Sequence, residues 1–498
     1  MDINSKKALY EAFKSQDAGF DGQFFVAVSS TGIYCRPVCH GKMPKFENCT
    51  FFKTAAEAEQ AGYRPCLVCR PELAPDHSCA NLNETAVCAA KYIEENCSRG
   101  IGVRELSAVL GCSDRHLRRL FKEAYHVTPV EYLQTCRLLL AKKLLTETDL
   151  SVLDAAMASG FGSVRRLNDA FRNKYKLSPT ALRKKQNSAA CTGGQIKVGL
   201  GYRAPYQWER ILRFLGERAI DGVEVVKDQK YYRTVRQTDK DGRPLYGWIC
   251  VEHVEKKSVL AVTLSESLLP VLSQVLSRVK MLFDLDCDPN VIYERLKGLN
   301  QVKEHAFLPG TRLPGCMDEF ELCLRAVLGQ QITVKAARTL AKRVAAAFGK
   351  KIETGIGGLE YVFPAPTDMA SLAKPIEDQL GPLGIIASRA RAIEEIASIF
   401  VKHEIEWGFM ADPDQVRKRL MEIRGIGPWT ANYIAMRALG YPDAFLETDA
   451  GVKEAMEGYT KKEIAAMSAE WSPWRSYAVM GLWNSLEDNE KCNHGCQR

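Results

Sequence analysis

The sequence lacks long hydrophobic runs and carries no excess of one charge over most of its length. No stretch of about 18 apolar residues occurs, so a membrane-spanning helix is not expected. The first residues, MDINSKKALYEAF, have no apolar core of the kind that a secretory signal peptide needs. These absences argue against membrane and secreted proteins, and they predict a cytoplasmic protein with no membrane partner.

The composition is that of a globular protein with several domains. The 498 residues are too many for one hydrophobic core and predict three or four domains. The formal charge of +8 is concentrated in residues 101–185, which hold 16 basic and 8 acidic side chains, whereas the rest of the chain is balanced. That segment has the charge expected of a nucleic-acid-binding surface. A solvated helical surface is the alternative interpretation.

The basic segment contains an internal repeat, in which residues 113–129 and 163–179 share one pattern at an offset of 50. Each copy has a glycine-containing turn, a serine suited to an N-cap and a helix with one apolar face. In the first copy, Arg115 and Arg119 lie on the opposite face and are candidate DNA contacts. The pattern is typical of a helix-turn-helix, and a plain helical bundle is the alternative. The two copies resemble the AraC-type DNA-binding domain, which implies promoter DNA and RNA polymerase as partners.

Four of the 17 cysteines have the spacing of metal ligands. Three residues separate Cys35 from Cys39, two separate Cys66 from Cys69, and 26 lie between the pairs. Two such pairs can close a tetrahedral Zn²⁺ site, which would stabilise a small domain with few core residues. Scattered structural cysteines are the alternative, because most of the other thiols stand alone in apolar patterns, as in a reducing compartment.

Residues 20–39 and 61–71, which read FDGQFFVAVSSTGIYCRPVC and AGYRPCLVCRP, resemble the N-terminal domain of the Ada family. The resemblance implies that Cys35 is both a zinc ligand and the nucleophile that takes a methyl group from a DNA phosphotriester. Zinc would keep this sulfur a thiolate at neutral pH and would remain bound once a thioether forms. A purely structural zinc ion is the alternative, since spacing alone does not make one thiolate reactive.

The same resemblance implies contacts with DNA phosphates at Thr31, Lys42 and Arg64, to which charge alone adds Arg36. Methylation of Cys35 would remove one of the two negative charges of a Zn(Cys)4 site. Weaker repulsion from DNA would then turn a repair event into a transcription signal. The Ada family also has a methylguanine methyltransferase domain with a Pro-Cys-His core, for which we find no second candidate, so reversal of methylguanine is not predicted.

Residues 422–433, EIRGIGPWTANY, have the pattern of a helical hairpin. We predict that one helix ends at Arg424, that Gly425 and Gly427 form the turn, and that Pro428 takes an early position in the next helix. Backbone N–H groups at the start of that helix can hold a DNA phosphate without reading sequence. A plain αα-hairpin is the alternative.

Asp449 follows the hairpin by about 20 residues. This arrangement resembles the helix-hairpin-helix glycosylase superfamily and, more narrowly, DNA-3-methyladenine glycosylase II, which implies that Asp449 is the catalytic carboxylate. A helix N-cap is the alternative role for Asp449. Trp429 stands where bifunctional members have a Schiff-base lysine, so we predict a monofunctional hydrolase that leaves an abasic site. The narrower resemblance lies in residues 201–208, 214–218, 313–320, 327–331 and 471–478.

The glycosylase resemblance also assigns a base pocket and a wedge. Electron-poor alkylated purines stack favourably on aromatic faces, although core packing is the alternative role for each aromatic residue. Gln330 and Gln331 would lie at the wedge that enters the duplex when the base is flipped out, and the hairpin carbonyls are a candidate site for a monovalent cation. The implied pocket residues are Phe214, Trp429, Tyr433 and Trp483.

Together these patterns predict a multidomain, mainly α protein with α+β parts that repairs alkylated double-stranded DNA. It would combine excision of alkylated purines of the 3-methyladenine type with methyl transfer to Cys35 and methylation-dependent transcription control. The alternative is a damage-responsive transcription factor whose glycosylase half only binds lesions. The predicted domains are a zinc methyl-acceptor domain (1–80), an AraC-type domain (84–186), a β-containing glycosylase N-terminal domain (196–310) and a helix-hairpin-helix domain (311–490).

Overall fold

The computed structural model describes residues 6–75, 83–184 and 195–495. Its contacts divide the chain into two compact units, residues 1–204 with 236–280 and residues 205–235 with 281–498. Apart from Gln195, the predicted linker 186–195 lies outside the described residues. Within the described ranges, no helix combines the length and apolar character needed to cross a bilayer.

The first unit begins with a four-stranded sheet in the order β3-β1-β2-β4. Strand β1 is antiparallel to β2 and β3, and β2 is parallel to β4. Cys35 ends β2 and Cys66 directly follows β4, so the parallel pairing brings the two cysteine turns to the same end of the sheet. The elements are α1 (Lys6–Lys14), β1 (Phe25–Val28), β2 (Ile33–Cys35), β3 (Cys49–Phe52), α2 (Ala55–Gln60) and β4 (Arg64–Pro65).

The described part of the predicted AraC-type domain, residues 84–184, forms seven α-helices, and the predicted repeat is confirmed. Helices α5 and α8 both have 12 residues, with Ser113 and Ser163 as N-caps that accept a backbone hydrogen bond. The turn before each helix contains a glycine with positive φ, Gly111 at 61° and Gly162 at 67°, which suits a residue without a Cβ. The helices are α3 (Glu84–Asn96), α4 (Val103–Val109), α5 (Asp114–Tyr125), α6 (Pro129–Glu147), α7 (Val152–Ala158), α8 (Val164–Tyr175) and α9 (Pro179–Lys184).

The next strands in the chain pair antiparallel within each unit: β9 pairs with β5 and β8 in the first unit, and β6 pairs with β7 in the second. The predicted strand at 256–264 begins only at Val259, because residues 255–257 form a 3-10 turn that Ser258 closes with a φ of 48°. The elements of this region are β5 (Gln195–Gly201), α10 (Trp208–Glu217), β6 (Glu224–Lys227), β7 (Lys230–Thr238), β8 (Pro244–Val254), β9 (Val259–Ser265), α11 (Leu272–Leu282), α12 (Pro289–Leu296) and α13 (Leu299–Val302).

The rest of the second unit is helical apart from one short pair of strands, and it contains a large hydrophobic core. Helix α14 packs against both α18 and α20 around buried residues such as Phe320, Ile393 and Ile434. The elements are α14 (Glu319–Leu328), α15 (Val334–Phe348), β10 (Lys350–Lys351), β11 (Tyr361–Val362), α16 (Pro366–Ala370), α17 (Ile376–Leu380), α18 (Ala387–Val401), α19 (Pro413–Met421), α20 (Pro428–Ala438), α21 (Ala450–Ala455), α22 (Lys461–Glu470) and α23 (Arg475–Gly495). The predicted fold class, mainly α with α+β parts, is confirmed.

Candidate functional site

The four predicted ligand cysteines converge in the first unit. The sulfur atoms of Cys35, Cys39, Cys66 and Cys69 all lie within 4.8 Å of one another. Zn–S bonds of about 2.3 Å in a tetrahedron would place the sulfurs about 3.8 Å apart, so the cluster fits Zn²⁺ in both donor chemistry and size. Three of the cysteines are buried, and Cys69 is partly exposed.

Backbone hydrogen bonds distinguish Cys35 from the other three thiols. The N–H of Gly41 donates to Cys39 Sγ at 3.4 Å, that of Val68 to Cys66 Sγ at 3.3 Å, and that of Arg36 to Cys69 Sγ at 3.3 Å. Among the described residues, no backbone N–H donates to Cys35 Sγ. Such bonds draw electron density from a thiolate, so this difference favours Cys35 as the nucleophile, a role that stays a prediction.

The predicted phosphate contacts around the zinc cluster differ in exposure. Thr31 and Lys42 are exposed and Arg64 is half-buried, with the Arg64 N–H bonded to Gly32 in the parallel pairing of β2 and β4. Arg36, which was suggested by charge, is buried and forms an ion pair with Asp21. Its Nη1 also donates to the Cys69 carbonyl at 3.1 Å. The suggestion for Arg36 is therefore wrong, because this guanidinium supports the fold instead of a surface contact.

The predicted DNA-binding face of α5 is exposed, as a groove-reading helix requires. Arg115 is exposed, and Arg119 is exposed beside Glu123 and His116, at 3.5 and 3.3 Å. The opposite face of α5 is buried, with Leu117 and four other side chains in the hydrophobic core. The helix can thus present its arginines without giving up its packing.

The hairpin of the second unit lies between α19 and α20. Helix α19 ends at Met421, three residues before the predicted end. The chain tightens there because the N–H of residue 423 donates to the carbonyl of residue 420, a 3-10 hydrogen bond. Gly425 has a φ of 97°, and Gly427 is the N-cap ahead of Pro428 at the first helical position. The predicted turn and the predicted place of Pro428 are confirmed. The monovalent cation stays a prediction.

The two predicted wedge glutamines have different surroundings. Gln330 Nε2 donates to the Gly425 carbonyl at 2.9 Å and to Thr430 Oγ1 at 3.0 Å, so this side chain holds the hairpin. Gln331 is exposed and has a left-handed φ of 55°. A non-glycine residue in this conformation is uncommon and costs free energy, which makes Gln331 the more distinctive of the two.

The carboxylate of Asp449 lies between two tryptophan side chains. Its Oδ1 accepts hydrogen bonds from Trp483 Nε1 at 2.8 Å and from the Val452 N–H at 3.0 Å, and its Oδ2 accepts one from Trp429 Nε1 at 3.0 Å. Asp449 is also the N-cap of α21. Gly451 permits this arrangement, since a Cβ there would lie 2.9 Å from the Trp483 ring. The predicted catalytic residue and two predicted pocket residues thus form one cluster.

The other predicted pocket residues extend the aromatic cluster. Tyr433 stacks on Trp429 with ring centroids 5.3 Å apart and an interplanar angle of 6°. Phe214 is buried and lies parallel to Trp483 with centroids 6.2 Å apart. A cavity of about 280 Å³ is lined by Trp429 and by Thr448, which precedes Asp449 in the chain, whereas Asp449 and the other three aromatic residues are not among its lining residues. The structure therefore brings all four aromatic residues together, whereas their contact with a DNA base stays a prediction.

Two arginines that the sequence reasoning missed belong to the same cluster. The guanidinium carbons of Arg218 and Arg437 lie 3.9 and 4.7 Å from the Phe214 ring centroid. Burial alone raises the pKa of Tyr433, but the positive charges of Arg437, Arg218 and Arg325 outweigh it and lower this pKa below its ordinary value. Arg437 Nη1 donates to Tyr433 Oη at 3.0 Å. A cationic base entering this pocket would therefore meet like charge as well as aromatic faces.

Comparisons with known protein families cover most of the chain. Residues 8–72 match the metal binding domain of Ada, and residues 106–185 match a helix-turn-helix domain. Residues 197–318 match the AlkA N-terminal domain, and residues 324–463 match the HhH-GPD superfamily of base excision DNA repair proteins. The fold and these matches define a multidomain DNA-binding protein that joins an Ada-type zinc module to a helix-hairpin-helix glycosylase domain.

Curated relatives show how the parts combine. A probable bifunctional transcriptional activator/DNA repair enzyme AlkA of Mycobacterium tuberculosis is 35% identical over 490 residues, 96% of each chain. DNA-3-methyladenine glycosylase 2 of Escherichia coli is 34% identical over 285 residues, 57% of this chain and 95% of the relative. The bifunctional transcriptional activator/DNA repair enzyme AdaA of Bacillus subtilis is 33% identical over 176 residues, 35% of this chain and 81% of that relative.

The chain belongs to the family of bifunctional transcriptional activator/DNA repair enzymes with Ada-type and AlkA-type halves. The predicted resemblances and the predicted Zn²⁺ are confirmed by the family matches and by the four-cysteine cluster. The prediction that the protein binds DNA is confirmed by the helix-turn-helix and base excision repair matches, whereas RNA polymerase as a partner stays a prediction. The individual roles of the site residues and the predicted domain boundaries stay predictions.

Proposed function

We propose that the protein excises alkylated purines from DNA at Asp449 and takes methyl groups from DNA phosphotriesters at Cys35. The observation that carries the first activity is the Asp449 carboxylate, whose two oxygens accept the indole N–H groups of Trp429 and Trp483. These bonds fix the carboxylate before substrate arrives, so no reorganisation is needed as positive charge develops nearby.

The excision step needs one carboxylate and one water molecule. The glycosidic bond breaks, its electron pair leaves with the base, and a ring-alkylated base departs as a neutral molecule. Asp449 stabilises the oxocarbenium-like sugar and orients the water, whose oxygen bonds to the sugar carbon while its proton moves toward the carboxylate. No lysine stands at position 429, so the reaction ends at an abasic site without a Schiff base.

Methyl transfer uses the first unit. Bound Zn²⁺ would supply one thing, an ionised sulfur at Cys35 at neutral pH. That sulfur attacks the methyl carbon of the phosphotriester, the carbon–oxygen bond breaks, and DNA regains a negatively charged phosphodiester. The zinc site loses one negative charge, so its repulsion from neighbouring phosphates weakens. Promoter DNA bound by α5 and α8 is then held more tightly, and RNA polymerase is the proposed partner at the promoter.

Base release tests the excision proposal. A duplex with one ring-methylated purine is incubated with wild-type protein and with Asp449→Asn, and free base is measured by chromatography. We expect release by the wild type and a loss of at least about a hundredfold in the variant, with DNA binding retained. Glu457→Gln, the same chemical change at an exposed acid eight residues away that does not line the cavity beside Trp429, is the matched control and should keep full activity. Binding without release by the wild type would leave only a lesion-binding regulator.

Peptide mass spectrometry tests the methyl-acceptor proposal. After incubation with DNA that carries methylphosphotriesters, we expect a single added methyl group on the peptide containing Cys35 and none on the peptide containing Cys66 and Cys69. The absence of N–H···S bonds at Cys35 among the described residues is the physical reason for this selectivity. An unmodified Cys35 in zinc-loaded protein would reduce the module to a structural zinc domain.

A further inference from the structure

Glu59 is a buried acid that neither proposed reaction uses. It lies near the end of α2, and only 1% of its surface is exposed. Its Oε1 accepts hydrogen bonds from the hydroxyls of Tyr34 at 3.2 Å and Tyr175 at 3.1 Å, and its Oε2 accepts one from Thr135 at 3.0 Å. One carboxylate thus collects three hydroxyl donors in the interior of the first unit.

The three donors come from different parts of that unit. Tyr34 lies in β2 directly before Cys35, Thr135 lies in α6, and Tyr175 is the last residue of α8. All three are buried. Lys174 Nζ adds a fourth link, to the backbone carbonyl of Glu59 at 3.1 Å. The carboxylate therefore joins the strand that carries the methyl acceptor to two helices of the DNA-binding domain.

Helix α2 makes further contacts with the same domain. Gln60 Nε2 donates to Glu131 Oε1 in the first turn of α6 at 3.1 Å. Nε2 of His126, the C-cap of α5, lies 3.7 Å from Oε1 of Glu57 on α2. One short helix of the zinc module consequently contacts the C-terminal ends of both α5 and α8, the two helices expected to enter the DNA grooves.

Packing alone does not require a carboxylate at this place. Burial raises the pKa of Glu59 to about 7, against the lowering effect of the hydroxyl donors and Lys174, which shows how unfavourable the buried charge is. An apolar side chain of similar size would fill the same space at a lower cost. Three directional hydrogen bonds, however, select one relative orientation of the connected elements, whereas apolar contacts allow several.

We propose that Glu59 is a positioning residue that fixes the Cys35 strand relative to α5 and α8, so that the zinc module and the helix-turn-helix domain bind one DNA as a rigid reader. This inference rests on the proposed function of Cys35. Two linked modules gain affinity from each other only when their geometry allows simultaneous binding. A methyl group at Cys35 then raises promoter affinity through a fixed linkage, and loosening that linkage uncouples the two events.

The test compares full-length variants that loosen the linkage without touching the zinc cluster or the DNA-facing arginines. Glu59→Leu keeps a side chain of similar volume and removes both acceptor oxygens, and with them all three hydrogen bonds. The double variant Tyr175→Phe with Thr135→Val removes the two hydroxyl donors that the DNA-binding domain offers to the carboxylate, and it leaves the Tyr34 bond and the Lys174 bond to the Glu59 carbonyl. Gln60→Ala removes only the exposed Gln60–Glu131 bond between the same two domains and leaves every hydrogen bond of the Glu59 carboxylate in place, so it is the matched control for the role of that carboxylate. Zinc content and circular dichroism establish that each variant folds.

Two quantities are measured for each protein: the rate of methyl transfer to Cys35, and the Kd for a 40-base-pair duplex selected from a random pool by methylated wild-type protein. We expect methyl transfer within twofold of wild type. The gain in affinity on methylation should fall by about tenfold or more in Glu59→Leu and in the double variant, and should remain in Gln60→Ala. A full gain in the folded double variant would overturn the proposal, even if Glu59→Leu failed to fold.

Failure of the proposed function gives a different result. If the wild-type protein accepted no methyl group, the role of Cys35 would be refuted. The positioning role of Glu59 would then be tested by the Kd of the unmethylated proteins for DNA. Weaker binding by the double variant than by Gln60→Ala would support a rigid reader without a methyl switch. Equal binding by both would overturn the positioning role as well.

Discussion

At the scale of single residues, the N-cap of α21 and the proposed catalytic carboxylate are the same residue, Asp449. It caps α21 by accepting the Val452 N–H, and it also accepts both indole N–H groups. A capping residue has a fixed backbone and rotamer, and this rigidity is what a preorganised carboxylate needs. The N-cap therefore supports the proposed catalytic role and does not compete with it.

The indole donors can be tested without changing the carboxylate. Trp483→Phe keeps an aromatic ring beside Phe214 but removes the N–H that donates to Asp449 Oδ1. A hydrogen bond to a charged group contributes about 1.5–3 kcal/mol, so single-turnover base release should slow by about tenfold to a hundredfold. The Kd for the same duplex should stay within about twofold of wild type. The lost hydrogen bond orients the carboxylate of Asp449 and makes no contact with the DNA backbone in this proposal. Trp474→Phe, whose ring packs against Tyr477, is the control; an equal loss in both variants would contradict the assigned role.

The residues that could be read from the sequence are those whose chemistry is tied to a local motif. Cys35 and Cys66 each have a second cysteine at ligand spacing, and Asp449 follows a recognisable hairpin. Arg218 and Arg437 could not be found in this way, because an arginine in a helical pattern is usually a surface residue. Only the folded chain places both of them on the Phe214 ring. The single local signal was the position of Arg218 at the end of a segment that carries the glycosylase resemblance.

At the scale of elements, the hairpin between α19 and α20 depends on a side chain from another helix pair. Gln330, which lies just after α14, donates to both the Gly425 carbonyl and Thr430. Gln330→Ala removes two neutral hydrogen bonds, each of about 1 kcal/mol. We expect the affinity for undamaged duplex DNA to fall by about threefold to thirtyfold, with little change in base release at saturating protein.

The exposed neighbour provides the comparison for that variant. Gln331→Ala leaves the hairpin bonds intact and should instead slow base flipping, which fluorescence of 2-aminopurine beside the lesion measures. If Gln330→Ala slowed flipping while leaving DNA affinity unchanged, the assignment of Gln330 to hairpin support would be wrong.

The four-stranded sheet of the first unit depends on its cysteine turns. Its strands have only two to four residues, and the cysteines form part of a small hydrophobic cluster. Removing Zn²⁺ with a strong chelator should therefore abolish the slow amide exchange of residues 25–66 and stop methyl acceptance. Base release should persist, since Asp449 and its tryptophans belong to the second unit. Parallel loss of both activities would contradict this independence, and restored methyl acceptance on adding Zn²⁺ is the control.

At the scale of the whole molecule, sequence patterns identified the individual domains, but they did not predict which segments group into each compact unit. The composition predicted a break near residues 186–195, yet β5, β8 and β9 group with the N-terminal residues by contact. Glu147 at the end of α6 accepts the Gly199 N–H at 2.8 Å, and at Gly201 a Cβ would clash with the Leu73 carbonyl. Contacts between segments far apart in the chain leave no local signal, and the predicted domain boundaries therefore stay predictions.

The uneven charge of the chain leads to a prediction about salt. The excess of basic residues lies in 101–185, and Arg115 on α5 is exposed. Removing one basic side chain that neutralises a phosphate should lower the slope of log affinity against log salt by about 0.9. We therefore expect Arg115→Ala to weaken binding to a selected promoter duplex and to flatten its salt dependence by about one unit.

Arg115→Ala should not change base release from a short duplex without the promoter sequence, because Asp449 and its two tryptophans belong to the other unit. Arg338→Ala, which removes an arginine paired with Asp221 in the second unit, is the matched control and should leave the promoter slope unaltered. A steeper or unchanged slope for Arg115→Ala would mean that α5 does not contact the phosphates. If Arg115→Ala lowered both promoter binding and base release, excision would depend on DNA binding by α5. The two activities would then share one binding step.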